Sequence, residues 1–147
     1  MLRSPACPRP AMIADSDLLY LHAAIELAAR GMYSCTPNPR VGCIIVRDGE
    51  VLGRGWHVRA GEGHAEVNAI ANAASSVAGA TVYVSLEPCA FHGRTPPCTE
   101  TLIEAGVVRV VAAMTDPHPR VAGQGFAVLR QAGISVDVVE LAEAQTL

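Results

Sequence analysis

Two short stretches decide how this chain reads: HAEVNAI, His64 to Ile70, and EPCAFHGRTPPC, Glu87 to Cys98. Together they supply a His, a Glu two residues on, and two Cys nine positions apart, the first preceded by Pro88. His plus two Cys suits zinc. A structural zinc site closes four protein ligands around the metal, whereas a catalytic one keeps a position open. Three candidate ligands beside a carboxylate that need not bind the metal therefore point to a catalytic centre. Any one of these residues alone would mean little; the set is specific.

Working outward, GATVYVSLE (79–87) reads as a buried strand that delivers Cys89 just past its end. The loop AFHGRTPP follows, and Pro97 starts a helix, PCTETLIEAG, with Cys98 in its first turn. A thiolate there gains from the helix dipole as well as from a metal. Upstream, Gly61 to Gly63 forms a loop and HAEVNAIANAA a helix, which puts His64 and Glu66 in its first turn. VGCIIVRDGEVLGRGWH reads as a hairpin: strand Val41 to Arg47, the two-residue turn Asp48-Gly49, and strand Val51 to His57. Cys43 inside the first of these is a small core residue. Before the hairpin, Asp15 or Ser16 caps a helix with Leu18, Leu21, Ile25 and Ala28 at helical spacing and Gly31 as its stop. CTPNPRVG (35–42) is a turn-rich loop in which two Pro restrict Asn38. Downstream come a strand VVRVVAAM, a polar loop TDPHPRVAGQG, a helix near Phe126 to Ala132 and a last strand ISVDVVE. The helix between the last two strands makes them parallel by the usual crossover. The expected fold class is α/β: a mixed sheet of about five strands layered between helices. Residues 1–14, with three Pro in the first ten, are expected to be a disordered arm on a single domain, 15–147.

Composition narrows the partners. Of 147 residues half are hydrophobic and 17% charged, ordinary for a compact soluble enzyme. All 11 basic residues are Arg, the net charge is -3, and no basic run appears, which disfavours a nucleic-acid partner. A single Trp leaves little for base stacking. No apolar run is long enough to span a membrane, and the N-terminal stretch lacks a signal-peptide core. Five Cys without a secretory signal fit a reducing cytoplasm with metal-bound or free thiols.

The H-x-E…P-C…C set is the one zinc deaminases use, with the Glu moving protons rather than ligating. Replacing a pyrimidine amino group by oxygen needs a nucleophile at neutral pH, and the leaving nitrogen must gain protons. Glu66 stands where such a shuttle belongs. As candidate substrate contacts, Asn38 offers hydrogen bonds to a sugar or ring edge, His57 stands at a strand end, and Arg94 suits an anionic group such as phosphate. Each also has an ordinary reading, as a turn residue, a structural His and a solvated loop Arg. Glu87 is either an acceptor that orients the site or a plain strand-end acid. His22 and His118 carry no functional role.

TPNPRVGCIIVRDGEVLGRGWH…AGEGHAEVNAI, GATVYVSLEPCAFHGRTPPC and AMTDPHPRVAGQG together resemble the deaminase domain of the bifunctional riboflavin-biosynthesis deaminase/reductase, over about Leu18 to Val138. The resemblance implies a cytidine-deaminase-like, three-layer α/β/α sandwich. It implies zinc held by His64, Cys89 and Cys98, with Glu66 as proton donor. It also implies deamination of 2,5-diamino-6-(5-phosphoribosylamino)pyrimidin-4(3H)-one to the 5-amino uracil counterpart in riboflavin biosynthesis. One departure concerns recognition: the family commonly carries His two places after the first Cys, where this chain has Phe91, followed by His92. A reductase, fused or separate, and a homodimer or homotetramer are the implied partners, and these residues themselves carry no reductase signature. Two rivals stand beside this reading. Deaminases of other nucleobases or of tRNA usually place their two Cys close together as P-C-x-x-C, against the nine-residue spacing here. A catalytically silent zinc module, partner to a reductase, would have no need of Glu66; a purely structural site would need a fourth ligand from His57, His92 or Cys35.

Overall fold

The computed structural model describes residues 13–29, 41–56, 64–90, 97–117, 119 and 122–145. In chain order the elements are α1 (Asp15–Ala29), β1 (Gly42–Arg47), β2 (Glu50–Trp56), α2 (Ala65–Ala71), β3 (Thr81–Val84), α3 (Cys98–Ala105), β4 (Arg109–Ala112), α4 (Gln124–Gln131), β5 (Ser135–Val138) and α5 (Ala142–Gln145). The strands form one five-stranded sheet in the order β2-β1-β3-β4-β5. β1 runs antiparallel to both β2 and β3, while β3, β4 and β5 are parallel. The expected mixed sheet and its parallel last pair are both present.

Alternation along the strands builds the two outer layers. Ile44 and Val46 of β1, Tyr83 of β3 and Val111 of β4 face α1, where Leu21, Ala24 and Ile25 cover them. Their neighbours Cys43, Ile45, Val82, Val84, Val110 and Ala112 face the other way, onto Ala65 and Ala69 of α2, Leu102 of α3, and Phe126 and Leu129 of α4. The molecule is thus a three-layer α/β/α sandwich. Its hairpin closes as expected on Asp48 and Gly49, both at positive φ (52° and 78°), the pairing a tight two-residue turn demands.

Several details differ from the sequence reading. The register between β1 and β2 slips by one residue after Ile45, which leaves Leu52 unpaired and puts Leu52 and Gly53 on the same, α2-facing side. Neither Asp15 nor Ser16 is the residue before the first helical turn: α1 begins at Asp15, and the Asp17 carboxylate reaches back to accept the Ala14 N–H at 2.9 Å. α4 starts at Gln124, before the expected Phe126, and α5 follows the last strand unannounced. The expected stop at Gly31 and the arm over 1–14, apart from Ile13 and Ala14, lie outside the described residues.

The outer edge of β2 is not left open. The carbonyls of Leu52, Arg54 and Trp56 accept from Ala74 N (3.2 Å), Asn72 Nδ2 (3.0 Å) and Asn68 Nδ2 (2.7 Å). α2 therefore stitches the edge strand and closes it to further pairing.

Across the sheet, Arg109 of β4 ties α1 to β5. Its guanidinium donates to both carboxylate oxygens of Asp17 (3.1 and 3.2 Å) and, through Nε, to Asp137 (3.1 Å), while the Tyr83 hydroxyl also donates to Asp17. Burial alone would raise the Asp17 carboxyl, but the hydrogen bonds from Arg109 and Tyr83 outweigh it and hold the group below its ordinary value. A depressed folded-state pKa means stability that is present above the unfolded value, about 3.9, and lost as pH falls through the folded one. Asp17→Asn is expected to cost about 2 kcal/mol at neutral pH, read by urea unfolding. Its stability should then change less than the wild type's between about pH 4 and pH 2, and parallel curves for the two proteins would refute the assignment.

Candidate metal centre

His64, Cys89 and Cys98 come from three different elements, and their ligand atoms all lie within 4.8 Å of one another. His64 is the residue immediately before α2, in an extended conformation (φ -70°, ψ 170°), and its side chain makes no capping bond. Its Nδ1 lies 3.0 Å from Cys98 Sγ and 3.7 Å from Cys89 Sγ. Cys89 follows β3 in the Glu87-Pro88-Cys89 turn, and Cys98 is the first residue of α3, behind Pro97.

The nine-residue separation has a mechanical reason. The first amides of a helix have no carbonyl within it to bond. Here the Cys98 N–H points at Cys89 Sγ (3.3 Å) and the Thr99 N–H at Cys89 O (3.2 Å). The start of α3 is therefore docked on Cys89 itself, and the intervening loop must leave that residue and return to it.

Glu66 sits one residue into α2, only 2% exposed. Burial pushes its carboxyl up to about 7, and the Cys89 charge adds to this, while its backbone amide, His64 and a hydrogen bond with Cys98 pull the other way. A carboxyl poised near neutrality can both accept and give up a proton. The Cys98 hydrogen bond, aided by that of His64, takes the Cys89 thiol down to about 4 against its burial. Cys98, which shares that bond and is more buried, is pushed far up, and the Cys89 hydrogen bond raises His64. An imidazole nitrogen and two cysteine sulfurs within 4.8 Å of one another are a soft donor set, so the residues fit zinc. Cys43, buried behind Glu66, carries no ligand role.

Of the residues singled out in the sequence, the structure brings His64, Glu66, Cys89 and Cys98 together. Asn38, His57 and Arg94 lie outside the described residues, as do Phe91, His92, Cys35 and His118. Two features were missed. Glu87, left open between an orienting acceptor and a plain acid, is buried and gathers backbone amides from the β4–α4 segment. Gly53 and Gly55, unremarked in the hairpin, let α2 lie directly on β2: a Cβ on Gly55 would overlap Ala69 N and Ala65 O, and one on Gly53 would overlap Ala69 O. Glycines inside a strand signal close backbone approach, and that signal was available.

Comparison with known proteins fits this geometry. Residues 14–114 match the model of the cytidine and deoxycytidylate deaminase zinc-binding region, and the chain belongs to that family. Its metal is accordingly zinc. Within the family the similarity is to riboflavin biosynthesis. The chain is 58% identical over 120 residues to riboflavin biosynthesis protein RibD of Escherichia coli, covering 82% of this chain and 33% of that one. It is 46% identical to a diaminohydroxyphosphoribosylamino-pyrimidine deaminase of Buchnera aphidicola, over 82% of each chain. Among solved structures, RibD of Acinetobacter baumannii superposes with a TM-score of 0.86 at 51% identity, over 89% of this chain and 37% of that one. The chain thus spans about a third of the length of its RibD relatives.

Because α2 carries His64 and Glu66 and lies on Gly55 without clearance, Gly55→Ala must lift the helix. Overpacking of this kind typically costs about 1–3 kcal/mol. We expect that loss in thermal unfolding together with at least roughly tenfold weaker zinc affinity in a chelator competition. Arg54→Ala, on the exposed face of the same strand, should change neither. Undiminished zinc affinity in Gly55→Ala would show that the helix does not set the site.

Proposed function

We propose that the chain catalyses hydrolytic deamination of 2,5-diamino-6-(5-phosphoribosylamino)pyrimidin-4(3H)-one, giving 5-amino-6-(5-phosphoribosylamino)uracil and ammonia. The observation that carries this is the buried Glu66 carboxyl, hydrogen-bonded to Cys98 within the His64–Cys89–Cys98 cluster, in a chain whose relatives act in riboflavin biosynthesis. In this reading His64, Cys89 and Cys98 hold zinc and Glu66 is the proton carrier. Bound zinc supplies the Lewis acidity that brings water within reach of deprotonation at neutral pH. Glu66 takes one proton from the water and delivers it to the ring nitrogen next to the carbon under attack, and then carries the proton of the newly added hydroxyl to the departing amine as the carbonyl forms. Water and the amine are consumed, and the carbonyl and ammonia are formed, so the proton count closes on one carboxyl.

Asn38, His57 and Arg94 remain the proposed contacts to ring, sugar and phosphate, and no nucleic-acid partner enters the reading, in keeping with a net charge of -3. The working unit is residues 15–147 with 1–14 as an appended arm. A reductase, on the same chain or separate, would consume the product, and a dimer or tetramer is the expected assembly. No helix among the described residues is long and apolar enough to cross a membrane, and Cys43, Cys89 and Cys98, none of them in a disulfide, suit a reducing cytoplasm.

The test is ammonia release from the zinc-loaded protein with the ribotide, run beside cytosine, guanine and a tRNA anticodon stem. Turnover confined to the ribotide, and lowered roughly 10³-fold or more in Glu66→Gln, is the expected result. Release from another substrate instead would replace this reading with a different deaminase. Bound zinc with no turnover at all would leave a silent module. Separately, Cys89→Ser and Cys98→Ser should each lose stoichiometric zinc, measured by elemental analysis; retention of full zinc by either would remove that residue from the ligand set.

A further inference from the structure

The Glu87 carboxylate accepts four backbone amides, and the reaction outlined above does not use it. One carboxylate oxygen accepts the N–H of Asp116 (2.9 Å) and of Gly123 (2.9 Å). The other accepts Gly125 (2.8 Å) and Phe126 (3.3 Å). Its own N–H donates to Met114 O at 3.0 Å. Five bonds from one residue thus gather the segment from Met114 to the first turn of α4. The packing behind them leaves no slack, since a Cβ on Gly125 would overlap the carbonyl oxygen of Pro88. Glu87 is buried and lies two residues before Cys89. A small cleft is lined by Glu87, Pro88, Cys89 and Ala90 together with Asp116, Gln124 and Gly125, so one metal-ligand candidate, Cys89, shares it with the residues that Glu87 gathers.

A structural carboxylate needs no such placement. Burying a charge is costly unless every lone pair is satisfied, and four amides from one segment do this here. What the arrangement yields is a fixed placement of Asp116 and the first turn of α4 on the cleft that Cys89 also lines. His64 and Glu66 are fixed independently, by α2 on β2, and Cys98 by α3 on Cys89. We infer that Glu87 is a positioning residue for substrate: it pins Asp116 and the first turn of α4 against the Cys89 turn and so sets how tightly the substrate is held, while His64 and Glu66 are placed by α2. This rests on the deaminase reading.

The experiment uses the full zinc-loaded chain with Glu87→Gln, which keeps the shape but turns an NH2 toward two of the four amides. Glu87→Asp, which keeps the charge but shortens the reach, is run beside it. Arg54→Ala, on the exposed face of β2 and away from the clamp, is the control. Both Glu87 variants should raise KM for the ribotide roughly tenfold with kcat within about twofold, the control should move neither, and the absorption spectrum of the cobalt-substituted protein should stay as in the wild type. Amide exchange should speed up at Asp116, Gly123, Gly125 and Phe126 but not at Asn68 or Thr101. An unchanged KM with those four amides released would overturn the inference, as would a fallen kcat with an altered cobalt spectrum, which would place Glu87 in the service of the metal. Should the wild type release no ammonia from the ribotide, the deaminase reading fails on its own account. The exchange pattern then decides: release confined to the four amides supports the clamp, and unchanged protection removes it.

Discussion

The first two amides of α3 have no carbonyl within their own helix, and Cys89 supplies both partners, one through its sulfur and one through its carbonyl. Much of the site follows from this docking. It fixes the distance between the two Cys in space irrespective of what the loop between them does. It aims the positive end of a helix at a thiol that is already depressed to about 4 by Cys98 and His64. It also places Cys98 where it can share a hydrogen bond with Glu66. A pair of Cys close together on one helix would have needed no such return. The longer spacing makes the turn after β3 an anchor as well as a donor.

Around that anchor, polar demands are met locally. Among the described residues no buried side-chain nitrogen or oxygen lacks a partner. Glu87 is satisfied by backbone amides, Asp17 by Arg109 and Tyr83, and the carbonyls of the β2 edge by Asn68, Asn72 and the Ala74 amide. Glu66 differs in kind. It too is buried, but its environment mixes groups that lower its pKa with burial and a thiolate that raise it, and the balance falls near 7. Asp17 is held below its ordinary value by its donors; Glu66 is held near neutrality by opposing ones.

Much of this was legible in the sequence, and the illegible parts have a common cause. The sheet strands, the hairpin turn at Asp48-Gly49 and the parallel last pair are written in period-two alternation and turn chemistry, which are local. His64, Glu66, Cys89 and Cys98 could be read because their residue types and spacing carry the chemistry. The slip at Leu52 and the clamp at Glu87 depend on which distant backbone groups end up nearby, whereas the reach of Asp17 back to Ala14 is local, three residues along the chain. Glu87 looks like any strand-end acid until Gly123, Gly125 and Phe126, some forty residues away, turn their amides onto it. Gly53 and Gly55 are the intermediate case. Their presence announces a close approach, but not that the approaching element is the helix that carries Glu66.

Two of the chain's constraints therefore act on the site from opposite sides of the same turn. On one side α2 is held by contact, because the absent Cβ atoms of Gly53 and Gly55 set its height above β2 and with it the height of His64 and Glu66. On the other, Asp116 and the start of α4 are held by hydrogen bonds, through four amides converging on Glu87. Contact fixes position steeply and is indifferent to solvent, which suits atoms that must meet a metal within tenths of an ångström. Hydrogen bonds to one carboxylate are more yielding, which suits a segment that must receive and release a substrate. The division follows from where glycine and glutamate fall in the chain: glycines under the helix with the reacting groups, and the acid under the segment that shares a cleft with Cys89.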